Sequence, residues 1–155
     1  MPIPDFVVEL RKQVGRAELW MPGVTAVIRR ADEVLLVRRS DNGAWAPVTG
    51  IVDPGEEPAS CASREAREEA GVEIQVDRLV STSVMRGVVH ANGDRAAYLD
   101  LAFACTWLSG DARPCDDECT EVGWFRPDRF PPMKQVFRDR IDAALSDEVA
   151  ARFRR

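Results

Sequence analysis

The chain has 155 residues, 45% of them hydrophobic, and a formal net charge of −5. That length suits one compact domain, and no apolar run approaches the length of a membrane span. The acidic balance argues against a nucleic-acid polymer as partner, because binding its backbone needs a basic patch.

In chain order, 5–14 is an amphipathic helix candidate with Phe6, Leu10 and Val14 on one face. It lies in an N-terminal extension, 1–19, that has no basic segment followed by an apolar stretch. No secretory signal is therefore expected, and the expected location is the cytoplasm. Two strands are predicted over 24–30 and 34–39, joined by a turn at Ala31-Asp32-Glu33. A short extended piece at 45–48 leads into a glycine-rich loop and a helix. Further strands are expected over 74–85 and 96–108, and the apolar Tyr98-Leu99-Asp100-Leu101-Ala102-Phe103 reads as central. The polar 109–120 reads as a loop and 122–125 as a short strand. The closing helix, 133–145, carries Val136, Phe137, Ile141, Ala144 and Leu145 at helical spacing, with Pro131-Pro132 marking its start. Four cysteines (Cys61, Cys105, Cys115, Cys119) are expected as free thiols, since a chain with this much core does not need disulfides.

The most informative stretch is 50–72. Asp53-Pro54-Gly55 is a turn signal, Pro58 suits a first helical turn, and Gly71 suits a left-handed C-terminal cap. At about 100° of rotation per residue, Glu65, Glu68 and Glu69 share one face of the helix between them. Ala59, Ala62, Ala66 and Ala70 line the opposite face, small enough for the helix to lie close on a sheet. Like charges at such spacing repel, so the cluster suits a hard cation that accepts carboxylate, water and phosphate oxygens. Arg64 can hold Glu68 or reach back to Glu56. Alone, the run Arg-Glu-Ala-Arg-Glu-Glu-Ala is also what a solvated helix face with internal ion pairs looks like. The glycine-rich entry at Gly50 and Gly55 and the placement of Glu56 are what that alternative leaves unexplained.

The pattern G-x5-E-x7-R-E-U-x-E-E-x-G-U (U apolar) is matched at Gly50, Glu56, Arg64, Glu65, Glu68, Glu69, Gly71 and Val72, with Ala66 as a small apolar residue. In this the chain resembles the Nudix hydrolases. Trp45-Ala46-Pro47-Val48-Thr49-Gly50 is similar to the family's entry to the box, with Thr49 in place of a glycine. The resemblance implies an α/β fold, a Nudix-type α/β/α sandwich with a mixed β-sheet and the box loop-helix at the cleft. It implies a Mg²⁺-dependent hydrolase, Mn²⁺ being a substitute, with a small nucleotide-type diphosphate as substrate. Glu65, Glu68, Glu69 and the Gly50 carbonyl are the implied metal ligands, and Arg64 and Glu56 the residues that orient them. Catalytic roles are expected for Glu68, Glu65 and Arg64. A base or further ligand is sought on the loop Asp116-Asp117-Glu118, Glu118 ahead of Glu121. Arg39 is similar to the family's strand-end arginine and is expected at a phosphate.

Substrate identity is less legible. Trp20, Trp45, Tyr98 and Phe103 could each stack on a base or simply fill the core. The proline of ADP-ribose-cleaving relatives, the tyrosine of dinucleoside polyphosphate cleavage and the NADH-type motif are all missing. That favours a MutT-like nucleoside triphosphate or nucleoside diphosphate-X substrate, with ADP-ribose or a nucleotide sugar as the alternative. A non-catalytic nucleotide sensor is a third reading, disfavoured because every box acid is kept. Homodimerisation, common in the family, would be one use for the N-terminal extension; capping the sheet would be another.

Overall fold

The computed structural model describes residues 3–155. Its elements are α1 (Asp5–Val14), β1 (Leu19–Arg30), β2 (Glu33–Arg39), β3 (Trp45–Ala46), β4 (Val48–Ile51), α2 (Pro58–Ala70), β5 (Glu73–Val89), β6 (Arg95–Ser109), β7 (Cys119–Phe125), a 3₁₀ turn at Pro127–Arg129, and α3 (Gln135–Leu145). Seven strands form one mixed sheet in the order β3-β2-β1-β6-β5, with β4 also pairing β1 and β7 pairing β2. β1 and β6 run parallel, from Leu19↔Ala96 to Arg29↔Thr106. The other pairings are antiparallel.

Alternation along β1 sorts the two faces. Val24, Ala26 and Ile28 face α2 and bury against Cys61, Ala62, Ala66 and Ala70. On the other face Val27 packs with Leu36, Val80 and Ala102 beneath Ile141 and Ala144 of α3. The small-residue stripe of α2 thus does what its pattern predicts, except that Ala59 is exposed and Cys61 takes the buried place. α1 lies over one end of the sheet, Val7 against Met21 and Ala96, with Tyr98 packed beside them. In this chain the N-terminal segment caps the sheet. Phe103 is buried core, and Trp45 packs edge-on against Phe125 at 5.0 Å between ring centroids, so neither is a free stacking platform. All four cysteines are free thiols, and none of the described helices is long and apolar enough to cross a membrane.

One polar cluster is buried between α3 and the sheet. Arg140, 2% exposed, lies with its Nε 3.2 Å from Asp100 Oδ2 and donates from Nη1 to Thr25 Oγ1 at 3.0 Å and from Nη2 to Ser83 Oγ at 3.2 Å. Thr25 in turn donates to Asp100 Oδ1 at 3.0 Å. Burial pushes the Asp100 carboxyl up to about 6 even though Arg140 pulls the other way. Removing one member strands the other charge inside, which costs about 3–5 kcal/mol. Arg140→Leu is therefore expected to lose stability on that scale in urea denaturation; a change below about 1 kcal/mol, the scale of an exposed ion pair, would show that the cluster is not a working pair.

Candidate active site

The site begins where β4 ends. Gly50 pairs with Val24 of β1, and its α-carbon meets Glu65 so closely that a Cβ there would sit 2.2 Å from Glu65 Cγ. The glycine is required by that approach, which puts Glu65, 0% exposed, against the strand. The turn after β4 is closed by the Glu56 N–H donating to Asp53 O at 3.0 Å and the Asp53 N–H donating to Glu56 Oε2 at 3.1 Å. α2 then starts with Pro58 in its first turn and ends at Gly71, whose φ of 68° and ψ of 25° make the left-handed cap.

Arg64 is the hub of the box. Its guanidinium donates to Glu56 Oε1 and Oε2 at 2.8 and 2.9 Å, to Glu65 Oε1 at 2.9 Å, to Glu68 Oε2 at 3.1 Å and to Ile51 O at 3.3 Å. The hydrogen bonds from Arg64 hold the Glu56 carboxyl below its ordinary value. One cation thereby ties the loop, the strand end and the helix together. Of the alternatives open for Arg64, pairing with Glu68 and reaching back to Glu56, it does both.

The acidic residues divide into two kinds. Glu65 and Glu69 are buried, and in each the Oε2 atom is buried without a hydrogen-bond partner. Burial pushes Glu65 up to about 7, with Arg64 opposing. Glu69 is pushed up to about 8 by burial and by the Glu65 and Asp116 charges. Glu68 is different: its side chain is 49% exposed and rests on Arg64. Among the described residues no group of three or more His, Cys, Asp or Glu side chains is gathered closely enough to cage an ion by itself. The resemblance puts Glu68 and Glu69 first as metal ligands with Glu65 close behind; the structure instead buries Glu65 and Glu69 as a pair with unsatisfied oxygens and turns Glu68 outward. Two carboxylates with water and substrate oxygens completing the shell suit Mg²⁺ or Mn²⁺, so the donor set fits the implied metal.

The loop after β6 is laid on the C-terminal end of α2. Arg113 N–H donates to Ala70 O at 3.1 Å, Cys115 N–H to Glu69 O at 3.2 Å, and the Cys119 thiol to Glu69 O at 3.3 Å. These donors satisfy carbonyls that a helix end leaves open, and they bring Asp116 close enough to raise Glu69. Asp116 belongs to the loop that the sequence singles out, but its place beside Glu69, ahead of the preferred Glu118, rests on backbone contacts that have no sequence signature. Glu118 is half-buried on the same loop, its carbonyl accepting from the Ser40 N–H at 2.7 Å. Glu121, on β7, is paired to Arg38 at 2.6 Å. Arg39 forms a two-pronged pair with Asp41 at 3.0 and 2.9 Å and lies within electrostatic reach of Glu69 and Tyr98.

Comparison with known proteins agrees with this architecture. The MutT NUDIX hydrolase of Burkholderia pseudomallei superposes with a TM-score of 0.60 at 28% identity, over 81% of this chain and 98% of that one. Residues 19–145 match the NUDIX domain family. The NAD-capped RNA hydrolase NudC of Pseudomonas aeruginosa (strain LESB58) is 32% identical over 135 residues, covering 84% of this chain and 46% of that protein. A MutT-like protein of Streptomyces ambofaciens is 33% identical over 122 residues, covering 77% of this chain and 72% of that protein. The chain belongs to the Nudix hydrolase family. It spans about half the length of the NudC relative it matches.

Proposed function

We propose that the chain hydrolyses a diphosphate linkage in a nucleoside diphosphate-X or nucleoside triphosphate substrate, with Mg²⁺ or Mn²⁺ held by Glu65, Glu69 and the Gly50 carbonyl. The observation that carries this is the pair of unsatisfied, buried carboxylate oxygens on Glu65 and Glu69 beside a glycine strand end. A buried polar group with no partner is costly, and burying two carboxylates side by side is costlier still. Such an arrangement is stable and useful when a cation completes it.

A metal held by these residues would supply charge screening for the diphosphate and acidity to a water nucleophile. The protein's own groups do the rest. Arg64 and Glu56 orient Glu65 and Glu68, and Glu68, half-exposed on Arg64, would be the further box carboxylate available to a metal held there. Arg39, on exchanging Asp41 for substrate, offers a planar guanidinium to a phosphate. The loop Asp116–Glu118 carries the base or additional ligand, with Glu118 assigned that role and Asp116 shaping the field at Glu69.

The names of the relatives support the bond class and leave the substrate open within it. One relative bears the name of an NAD-capped RNA hydrolase and another that of a MutT-like protein. NAD and a nucleoside triphosphate share the phosphoric anhydride. ADP-ribose and nucleotide sugars remain the second reading for the same reason. The test is a panel of nucleoside triphosphates, nucleotide sugars, ADP-ribose and NAD incubated with Mg²⁺, with products resolved by chromatography. At least one compound should yield two phosphate-bearing products that disappear with a chelator. Binding without any cleavage across the panel would favour the sensor reading instead.

A further inference from the structure

Of the four cysteines, Cys61, Cys105 and Cys119 are buried and Cys115 is exposed. Cys115 and Cys119 bracket the turn at 116–118, in which the Glu118 N–H donates to Asp116 Oδ1 at 3.0 Å. The turn sends the chain back on itself, and its two flanking residues arrive at the same atom. The Cys115 N–H donates to Glu69 O at 3.2 Å, and the Cys119 thiol donates to that oxygen at 3.3 Å. The Cys115 N–H also turns toward the Cys119 sulfur, and the two thiols lie within electrostatic reach of each other.

Their surroundings set an order of events. The Cys115 sulfur sits over Gly71, where a Cβ would come within 2.8 Å of it, and it donates to Arg113 O at 3.5 Å. Cys119 is 6% exposed. Burial, with the Asp116 and Glu69 charges, pushes its thiol up to about 11. The exposed thiol is therefore the one an oxidant reaches, and Cys119 is the one that follows.

We propose that Cys115 and Cys119 are a redox-sensitive pair, closed by a low-molecular-weight disulfide into a bridge that takes the loop off Glu69 and slows hydrolysis. In the first step the Cys115 thiolate attacks the reagent, RSSR, forming a mixed disulfide and expelling RS⁻. In the second the Cys119 thiolate attacks the Cys115 sulfur, the bridge forms and another RS⁻ leaves. The protein thiols give up two electrons and two protons, and RSSR becomes two RSH. The bridged Cys119 has no S–H, so the Glu69 carbonyl loses that donor, and Cys115 must turn from Gly71 toward Cys119. Asp116 and Glu118 lie inside the closed loop and move with it. The effect on hydrolysis rests on the diphosphate reading; the bridge and the release of the loop do not.

The experiment treats the full chain with oxidised glutathione and follows peptide mass, amide hydrogen exchange at Cys115, and turnover of a cleaved diphosphate compound with Mg²⁺. The peptide carrying both cysteines should lose two hydrogens within one chain, and the Cys115 amide should exchange faster. Turnover should fall by about tenfold or more, the scale of losing a group that orients a metal ligand. A thiol reductant should reverse all of these changes. Cys115→Ser keeps the backbone N–H, and it should form no bridge and show no response in exchange or turnover. A glutathione adduct that persists on Cys115 of the wild type, or a bridge between two chains, would overturn the pair. A bridge that leaves exchange unchanged, or leaves turnover of a cleaved compound unchanged, would overturn its link to the site. If no compound is cleaved, mass and exchange still decide the pair and the loop, and that failure counts against the hydrolase reading alone.

Discussion

Glu69→Gln is expected to lower turnover of a diphosphate substrate by more than about 100-fold, beyond the losses typical of residues that only orient a ligand. The fold should remain. Glutamine has the same shape, and Glu69 makes no ion pair among the described contacts that the change would break. The same variant has a second, opposite effect in the absence of metal. Burial holds the Glu65 and Glu69 carboxyls near 7 and 8, whereas an unfolded chain titrates them at about 4.3. Between those values the folded state binds more protons than the unfolded state, so stability of the metal-free protein falls as pH rises from about 4.3 to the folded values. Thermal melts in chelator should show that decline in wild type and a shallower one in Glu69→Gln, because the glutamine cannot ionise. A variant with near-normal turnover, or a wild type whose metal-free stability rises over this range, would contradict the site.

Gly50→Ala should be almost as damaging to turnover, by a different route. The new Cβ would lie 2.2 Å from Glu65 Cγ and 2.4 Å from its Cδ and Oε1. Glu65 is fully buried and has no room to retreat, so either β4 or the carboxylate must move. Overpacking of this kind costs about 1–3 kcal/mol, read in urea denaturation, and it displaces one of the two carboxylates assigned to the metal. Truncating Glu65 in the same protein should restore much of the stability, because the two atoms in conflict are then no longer both present, and none of the turnover. Restoration of activity along with stability would mean that Glu65 is only a packing residue.

How much of this was legible in the sequence depends on the range of the interactions. α1 is found over the residues its apolar spacing predicts, and the box helix has its caps where Pro58 and Gly71 put them, because those signals are local. β1 begins at Leu19, five residues earlier than its apolar run suggests. The pairing of Leu19 to Gly23 with β6 overrides a stretch that contains Pro22 and Gly23. The site shows the same division. Spacing placed Glu65, Glu68 and Glu69 on one helix face and linked Arg64 to Glu56. It could not separate two buried carboxylates from one turned to solvent, since that follows from how close β4 comes to α2. Nor could it place Asp116, whose approach to Glu69 depends on backbone contacts between the loop and the end of α2.

The direct test of the account is a calorimetric titration of Mn²⁺ into chelator-stripped protein near pH 7.5, for wild type and for the pair of changes Glu65→Gln and Glu69→Gln together. Metal ligands must be deprotonated to bind, so ions entering a site of partly protonated carboxyls release protons. Wild type should bind Mn²⁺ with a heat that varies with the ionisation enthalpy of the buffer, and the double variant should lose both the binding and the buffer dependence. Equal binding by the two proteins would contradict the assignment of the metal to Glu65 and Glu69.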